Sequence, residues 1–214
     1  DTVMRYGFGV DLGGTTVKIA CFEEGGVMTD KWEIPTVTEN DGERILPDIA
    51  ASLNTYMVQK GLDKDQMIGI GIGVPGPVVD KGIVTGCDNL GWGRVDVRAV
   101  LSSLTGLSVC AGNDANMAAL GESWKGGGAG CRNMVLVTLG TGVGGGIIVE
   151  GRQLCGVHGA GGEIGHMVLV PEEKEFCNCG KRGCVEQFCP ATGIARMAKR
   201  YLAANDKESA LGRV

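Results

Sequence analysis

The chain has 214 residues, 43% of them hydrophobic, and a formal net charge of −5. That length suits one large domain or two modest ones with a real core, while the acidic balance and 5% aromatic content argue against a nucleic-acid surface. No secretory segment occurs and no apolar run approaches the ~18 residues of a membrane span, so a reducing cytoplasm is the expected setting.

Residues 6–23 (YGFGVDLGGTTVKIACFE) read as strand, Gly-rich turn and strand, and residues 27–34 as a third strand of the same meander. Ile45, Leu46, Ile49, Leu53 and Met57 recur at helical spacing over 43–60, with Gly61 as the stop and Pro47 tolerable only in the first turn. IGIGIGV (68–74) is a short buried strand ending at Pro75-Gly76-Pro77. A helix is expected over 95–105, a strand over 107–112, and a second helix from Asn113-Asp114 toward Trp124, both opening residues being good N-cap types. KGGGAG (125–130) is a flexible link and, by composition, the best domain boundary. Strands follow at 134–140 and 144–151, and an amphipathic helix at 190–204.

The chain repeats itself. VDLGGTT (10–16) and VTLGTGV (137–143) are both Gly-rich turns between apolar strands, which suggests two copies of one unit facing a common cleft. A chance match of two Gly-rich hairpins is the competing account. Gly140 to Gly145 also satisfies G-x-G-x-x-G, but a strand rather than a helix follows, so the dinucleotide-fold reading fails. No P-loop string occurs.

Gly-Thr turns of this kind present backbone N–H groups and hydroxyls to phosphate oxygens. Asp11 heads the first turn, where a carboxylate could hold Mg²⁺ through water. Lys18 is either a charge partner there or a solvated strand lysine. Asn113-Asp114, taken alone, is a helix cap; a carboxylate at that place also suits phosphoryl transfer, which needs a group to orient the attacking hydroxyl and accept its proton. The helix N-terminus is expected to lower the Asp114 pKa.

Nine cysteines form no regular disulfide framework. Cys21, Cys87, Cys110, Cys131 and Cys155 lie in or beside apolar segments and read as small buried hydrophobes. Cys177, Cys179 and Cys184 differ: with His166 of GEIGH upstream, they can complete a tetrahedral Cys3His zinc site. Four protein ligands leave no open position, so such a zinc is structural. Glu163, His166 and Glu186 flank the cluster closely enough to share a pocket with it. Cys189 falls outside the spacing, and His158 reads as a loop residue.

The strings DLGGTT, GVPGPV, NLGWG, NDANMAALGE, LVTLGTGVGGGII, GAGGEIGH and CNCGKRGCVE span residues 8–193. In that order they resemble the ROK family of bacterial sugar kinases and repressors, specifically its glucokinases. The resemblance implies an α/β actin-like (ribonuclease H-like) ATPase fold, with two lobes around a cleft: a small lobe over residues 1–112 and part of a larger one over 113–214. It implies transfer of the ATP γ-phosphoryl group to the 6-hydroxyl of glucose, with Asp114 as catalytic base. Gly76, Asn113, Asp114, Glu163, His166 and Glu186 would bind the sugar. Asp11, Gly13, Gly14, Thr15, Thr16 and Lys18, with Gly140, Thr141, Gly142 and Gly144, would take the phosphates and Mg²⁺. His166, Cys177, Cys179 and Cys184 would bind zinc, and the full-length protein would be a homodimer or homotetramer.

Family kinases run to roughly 300 residues, a two-lobe size, so the resemblance also implies a truncated chain with an incomplete second lobe and less than full kinase activity. Three rivals stand beside it. A ROK repressor carries a helix-turn-helix before the first strand, where this chain has only about five residues. A kinase for N-acetylglucosamine, N-acetylmannosamine or fructose would carry much the same strings. A non-catalytic sugar-binding protein would leave Asp114 dispensable.

Overall fold

Strict alternation of glycine with large apolar residues organises the first sheet. In the computed structural model, which describes residues 4–205 and Ser209, strands β1 (Tyr6–Leu12), β2 (Thr16–Glu23) and β3 (Met28–Pro35) form an antiparallel meander. β4 (Met67–Val74) and β8 (Val109–Asn113) then add in parallel beside β1, giving the order β3-β2-β1-β4-β8. Phe8, Val10, Leu12, Ile70, Ile72, Val74 and Ala111 are buried on one face. The intervening positions place Gly7, Gly9, Asp11, Gly71, Gly73, Cys110 and Gly112 on the other, since successive strand residues point to opposite faces.

Helices cross over the apolar face. α1 (Glu39–Gly42) is a single irregular turn, with Asn40 and Asp41 at positive φ. α2 (Ile45–Lys60) buries the expected Ile45, Leu46, Ile49, Leu53 and Met57 and ends on Gly61 at φ +64°, with Pro47 in its first turn. The helix expected over 95–105 is shorter than its periodicity suggests. Three two-residue strands, β5 (Val78–Val79), β6 (Ile83–Val84) and β7 (Val95–Asp96), form a small sheet, and α3 (Val97–Thr105) begins only after it. Asp96 accepts the Ala99 N–H at 2.8 Å and so caps the helix.

α4 (Asp114–Lys125) leaves the end of β8 directly and lies against a second sheet of order β11-β10-β9, built from β9 (Met134–Leu139), β10 (Val143–Val149) and β11 (Arg152–Gln153). The two repeated Gly-rich strings are the turns of the equivalent hairpins β1–β2 and β9–β10, and β11-β10-β9 matches β3-β2-β1 in order. Gly146 makes the packing possible: a Cβ there would stand 2.4 Å from the Ala119 Cβ and 2.8 Å from the Ala115 carbonyl. Residues 154–190 contain only two 3₁₀ turns, Ile164–His166 and Val185–Gln187, before α5 (Ala191–Ala204).

Apolar neighbours in the sequence do not decide which cysteines are buried. Cys21 and Cys87 are buried as expected, but Cys110, Cys131 and Cys155 are exposed. Cys110 lies on the glycine face of β8, and Cys131 and Cys155 occupy loops. Among the described residues, no helix is long and apolar enough to cross a membrane.

A Gly146→Val substitution is expected to destabilise the protein by about 1–3 kcal/mol, the usual cost of overpacking. Urea denaturation checks this; an unchanged midpoint would show that α4 does not depend on this contact.

Candidate functional site

The N-terminus of α4 collects the groups that face both sheets. Asn113 ends β8, and its Oδ1 accepts the Asn116 N–H at 3.2 Å as the helix cap. Its Nδ2 donates to the Gly76 carbonyl at 3.2 Å, so one side chain ties the Pro75–Pro77 turn to the helix. Gly76 sits at φ +92°, and a Cβ there would strike the Gly86 carbonyl at 2.5 Å. Only glycine fits that turn. Asp114 follows, its Oδ1 accepting the Ala115 N–H at 2.7 Å.

The electrostatics of Asp114 reverse the sequence expectation. Although the residue is exposed to the open side of the helix end, protein packed around its carboxyl group and the negative charge of Asp11 hold its pKa above the ordinary Asp range. Hydrogen bonds from the helix N-terminus pull the other way and lose. A base raised toward the working pH transfers protons more effectively than one left at its ordinary value.

Both Gly-rich turns present open backbone. In the first, Gly13 donates to the Thr16 carbonyl at 3.1 Å, and Thr36 Oγ1 donates to the Gly13 carbonyl at 2.7 Å. Gly14 has open space around it and Thr15 is exposed. Asp11 lies opposite Lys18 across the β1–β2 pair, both exposed. In the second, Gly140 donates to the Gly142 carbonyl at 3.0 Å, and Gly140 and Thr141 are exposed. Gly144 sits deeper: a Cβ there would meet Thr138 Oγ1 at 2.5 Å and the Ala115 Cβ at 2.9 Å, so it serves helix packing.

The Cys/His string closes on itself. The ligand atoms of His166, Cys177, Cys179 and Cys184 all lie within 4.8 Å of one another. Cys177 Sγ is 3.7 Å from His166 Nδ1, and Cys179 Sγ is 3.6 Å from Cys184 Sγ. The other imidazole nitrogen, Nε2, faces away toward Glu163 Oε2 at 3.9 Å. Glu186, in the turn that begins at Cys184, accepts the Val143 N–H at 3.2 Å. The Cys module thus reaches both the His166–Glu163 pair and the β9–β10 turn. Cys189 and His158 stand outside the cluster, His158 exposed in a turn.

A model described as the ROK family matches residues 7–212. The chain belongs to the ROK family. It is 48% identical to the glucokinase of Halalkalibacterium halodurans over 91% of this chain and 59% of that protein. Among solved structures, a ROK family glucokinase from Streptomyces griseus in complex with glucose and AMPPNP is 33% identical, with a TM-score of 0.76 over 95% of this chain and 62% of that one. A ROK family transcriptional regulator, a homologue of the E. coli MLC protein, is 29% identical, with a TM-score of 0.85 over 98% of this chain and 52% of that one. The chain therefore spans about 59% of the curated relative's length. Its fold is the actin-like ATPase fold.

The ROK cluster fits a zinc ion on its own geometry. Zn–S bonds of about 2.3 Å in a tetrahedron require S···S edges of about 3.8 Å, close to the 3.6 Å seen. In the thiols themselves burial pushes Cys184 up to about 12, while Cys179 falls because the Lys181 N–H bonds its sulfur. Two residues that sequence reasoning missed hold this module in place. Gln187, 5% exposed, accepts the Cys184 N–H at 3.0 Å and donates to the Glu175 carbonyl at 3.0 Å. Asn116, 3% exposed, donates to the Gly161 carbonyl at 3.3 Å and links α4 to the GAGGE loop. Its N-cap string signalled a helix start, but nothing in it marks which side chain turns inward. A groove of about 510 Å³ between residues 170–175 and α5 lies apart from these groups; Arg200 already pairs there with Glu173 at 2.7 Å and holds that carboxyl at about 2.

A Cys184→Ser variant, which removes one of the four candidate ligands, is expected to take up less zinc than wild type and become sensitive to proteolysis across residues 154–190. Elemental analysis alongside limited digestion checks this. Unchanged metal content would remove Cys184 from the ligand set.

Proposed function

We propose that the full-length protein is a glucokinase that transfers the γ-phosphoryl group of ATP to the 6-hydroxyl of glucose, with Asp114 as general base. The observation that carries this reading is the placement of Asp114: a carboxylate of raised pKa at the head of α4, capped by Asn113 and acted on by Asp11. The 48% identity to a glucokinase supports the choice of sugar.

In this reading residues 1–112 and 113–214 belong to the two lobes, and the sugar lies between them. Asn113, Glu163, His166 and Glu186 hold its hydroxyls, with the Gly76 turn closing over it. A site that bonds each hydroxyl rejects analogues lacking one, because its own polar groups would be left unpaired. Asp114 accepts the 6-hydroxyl proton as the oxygen forms its bond to the γ-phosphorus. The bond from that phosphorus to the bridging oxygen breaks, and ADP leaves with the electron pair.

The turn Asp11–Thr16, with Lys18, and the turn Gly140–Gly144 receive the phosphates through N–H groups and hydroxyls. Asp11, an exposed carboxylate at the head of the first turn, would hold Mg²⁺ through water, and the ion would supply charge neutralisation on the phosphates. His166, Cys177, Cys179 and Cys184 would hold a structural zinc ion, with His166 Nδ1 on the cluster side and Nε2 left to face the sugar.

Four outcomes test the reading. In a coupled assay of the full-length protein across glucose, fructose, mannose and N-acetylated hexosamines, glucose is expected to give the highest kcat/KM; a strong preference for an N-acetyl sugar overturns the assignment. Asp114→Asn is expected to lower kcat by about 10²–10⁴ with a far smaller change in KM. Because the raised carboxyl must be ionised to act, kcat should fall on the acid side at a pH above the ordinary Asp value of 3.8. The same shift has an opposite effect on stability. The folded state holds its Asp114 proton more tightly than the unfolded one, so stability declines as pH rises between 3.8 and the raised value. Asp114→Asn should therefore raise the melting temperature at neutral pH while lowering turnover, and a fall in both would contradict the assignment.

A further inference from the structure

The Glu186 carboxylate has two oxygens, and the structure commits only one. Oε2 accepts the Val143 N–H, and a Cβ built on Gly142 would lie 2.5 Å from that oxygen, so the β9–β10 turn closes directly over it. Oε1 has no hydrogen-bond partner among the described residues. Two other groups of the same module hold the turn. Thr192, in the first turn of α5, donates through Oγ1 to the Thr141 carbonyl at 3.1 Å. Gly165 lies under Val143 so closely that a Cβ would stand 2.2 Å from its carbonyl oxygen. On its other side Glu186 is fixed by the backbone of the Cys184 turn, which Gln187 closes through the Cys184 N–H. A half-buried carboxylate thus joins the sugar-facing cluster to the phosphate-facing turn.

We propose that Glu186 is a positioning residue that couples the two substrates: one oxygen fixes the phosphate turn through Val143 while the other takes a sugar hydroxyl, so that each ligand binds more tightly in the presence of the other. The identities of the two ligands rest on the glucokinase reading; the coupling does not follow from it. A hydroxyl donated to Oε1 locks the carboxylate in the rotamer that holds Val143. The turn then has less freedom left to lose when phosphate arrives. Linkage requires the effect to be reciprocal, and for one shared side chain it falls at the low end of the usual range, about fivefold.

The test uses the full-length, zinc-loaded protein. The dissociation constant of a non-hydrolysable ATP analogue is measured by calorimetry without sugar and with glucose at ten times each variant's own Kd. Wild type is expected to bind the analogue about fivefold more tightly with glucose, and Glu186→Ala to show a ratio near one. Glu186→Gln keeps an acceptor for the Val143 N–H and should recover most of the nucleotide affinity that Glu186→Ala loses. Where Glu186→Ala no longer binds glucose, Gly142→Ala supplies the measurement. Its new methyl displaces Oε2 from the turn and leaves Oε1 to the sugar, so glucose should bind without coupling. Hydrogen exchange at the Val143 amide gives a second readout: about tenfold faster in Glu186→Ala, near wild type in Glu186→Gln, with zinc content unchanged in both. A wild-type coupling ratio near one, or Val143 exchange unaffected by Glu186→Ala, overturns the coupling even where glucose is phosphorylated. A protein that binds neither glucose nor the analogue overturns the glucokinase reading and the coupling together.

Discussion

The close approach of α4 to strand β10 is the contact on which the site depends. The helix starts where β8 of the first sheet ends, yet it lies on a strand of the second. Small residues clear its path on both sides. Gly73 and Gly112 leave room for Met117, and Gly144 and Gly146 leave room for Ala115 and Ala119. At Gly144 and Gly146 a Cβ would strike Ala115 and Ala119 of the helix itself, so a side chain there would push α4 off β10. Asp114 therefore occupies the junction of two sheets for reasons of packing that have nothing to do with its charge. Part of the glycine content serves the first sheet, where Gly7, Gly9, Gly71, Gly73 and Gly112 share one alternating face of β1, β4 and β8.

A different solution holds the segment between β11 and α5. Residues 154–190 carry almost no regular structure, and Met167, Val168, Leu169 and Phe176 are exposed, so no apolar core exists there to order the chain. A segment of that kind needs a cross-link. The convergence of one imidazole and three sulfurs meets the need, because a metal bound by such a cluster contributes its binding free energy to folding. Local bonds complete the module: Lys181 Nζ to the His166 carbonyl, Gln187 to Cys184, and Arg196 to the Gln187 carbonyl. Glu163 and Glu186 are carried on this frame rather than on a helix or strand.

What the sequence reveals and what it hides follow from range. Long elements with a clear period are legible, including α2 with its Gly61 stop, the β1–β2 and β9–β10 hairpins and the Cys3His spacing. All of these are decided within a few residues of chain. The strands β5, β6 and β7 are not legible, because two residues show no period and their pairing is fixed only by distant partners. The inward turn of Asn116 depends on where the GAGGE loop passes, some 45 residues later. The pKa of Asp114 departs from its sequence expectation for the same reason. The cap that lowers it is local and visible, whereas the packing that raises it and the charge of Asp11, which lies two strands away at the same end of the sheet, come from distant parts of the chain.

A transcriptional regulator and a glucokinase both match this backbone, at TM-scores of 0.85 and 0.76, so the fold alone does not assign a function. The distinction has to lie in side chains whose presence the fold does not require. Asn113 is not such a residue, because it caps α4 and binds Gly76 whatever the protein does. Asp114 is. Its Oδ1 accepts the N–H of its own neighbour Ala115, and its charge is disfavoured by the packing around it and by Asp11. A carboxylate held above its ordinary pKa by its surroundings is what the proposed role of Asp114 as general base calls for, since packing alone would favour a neutral residue there.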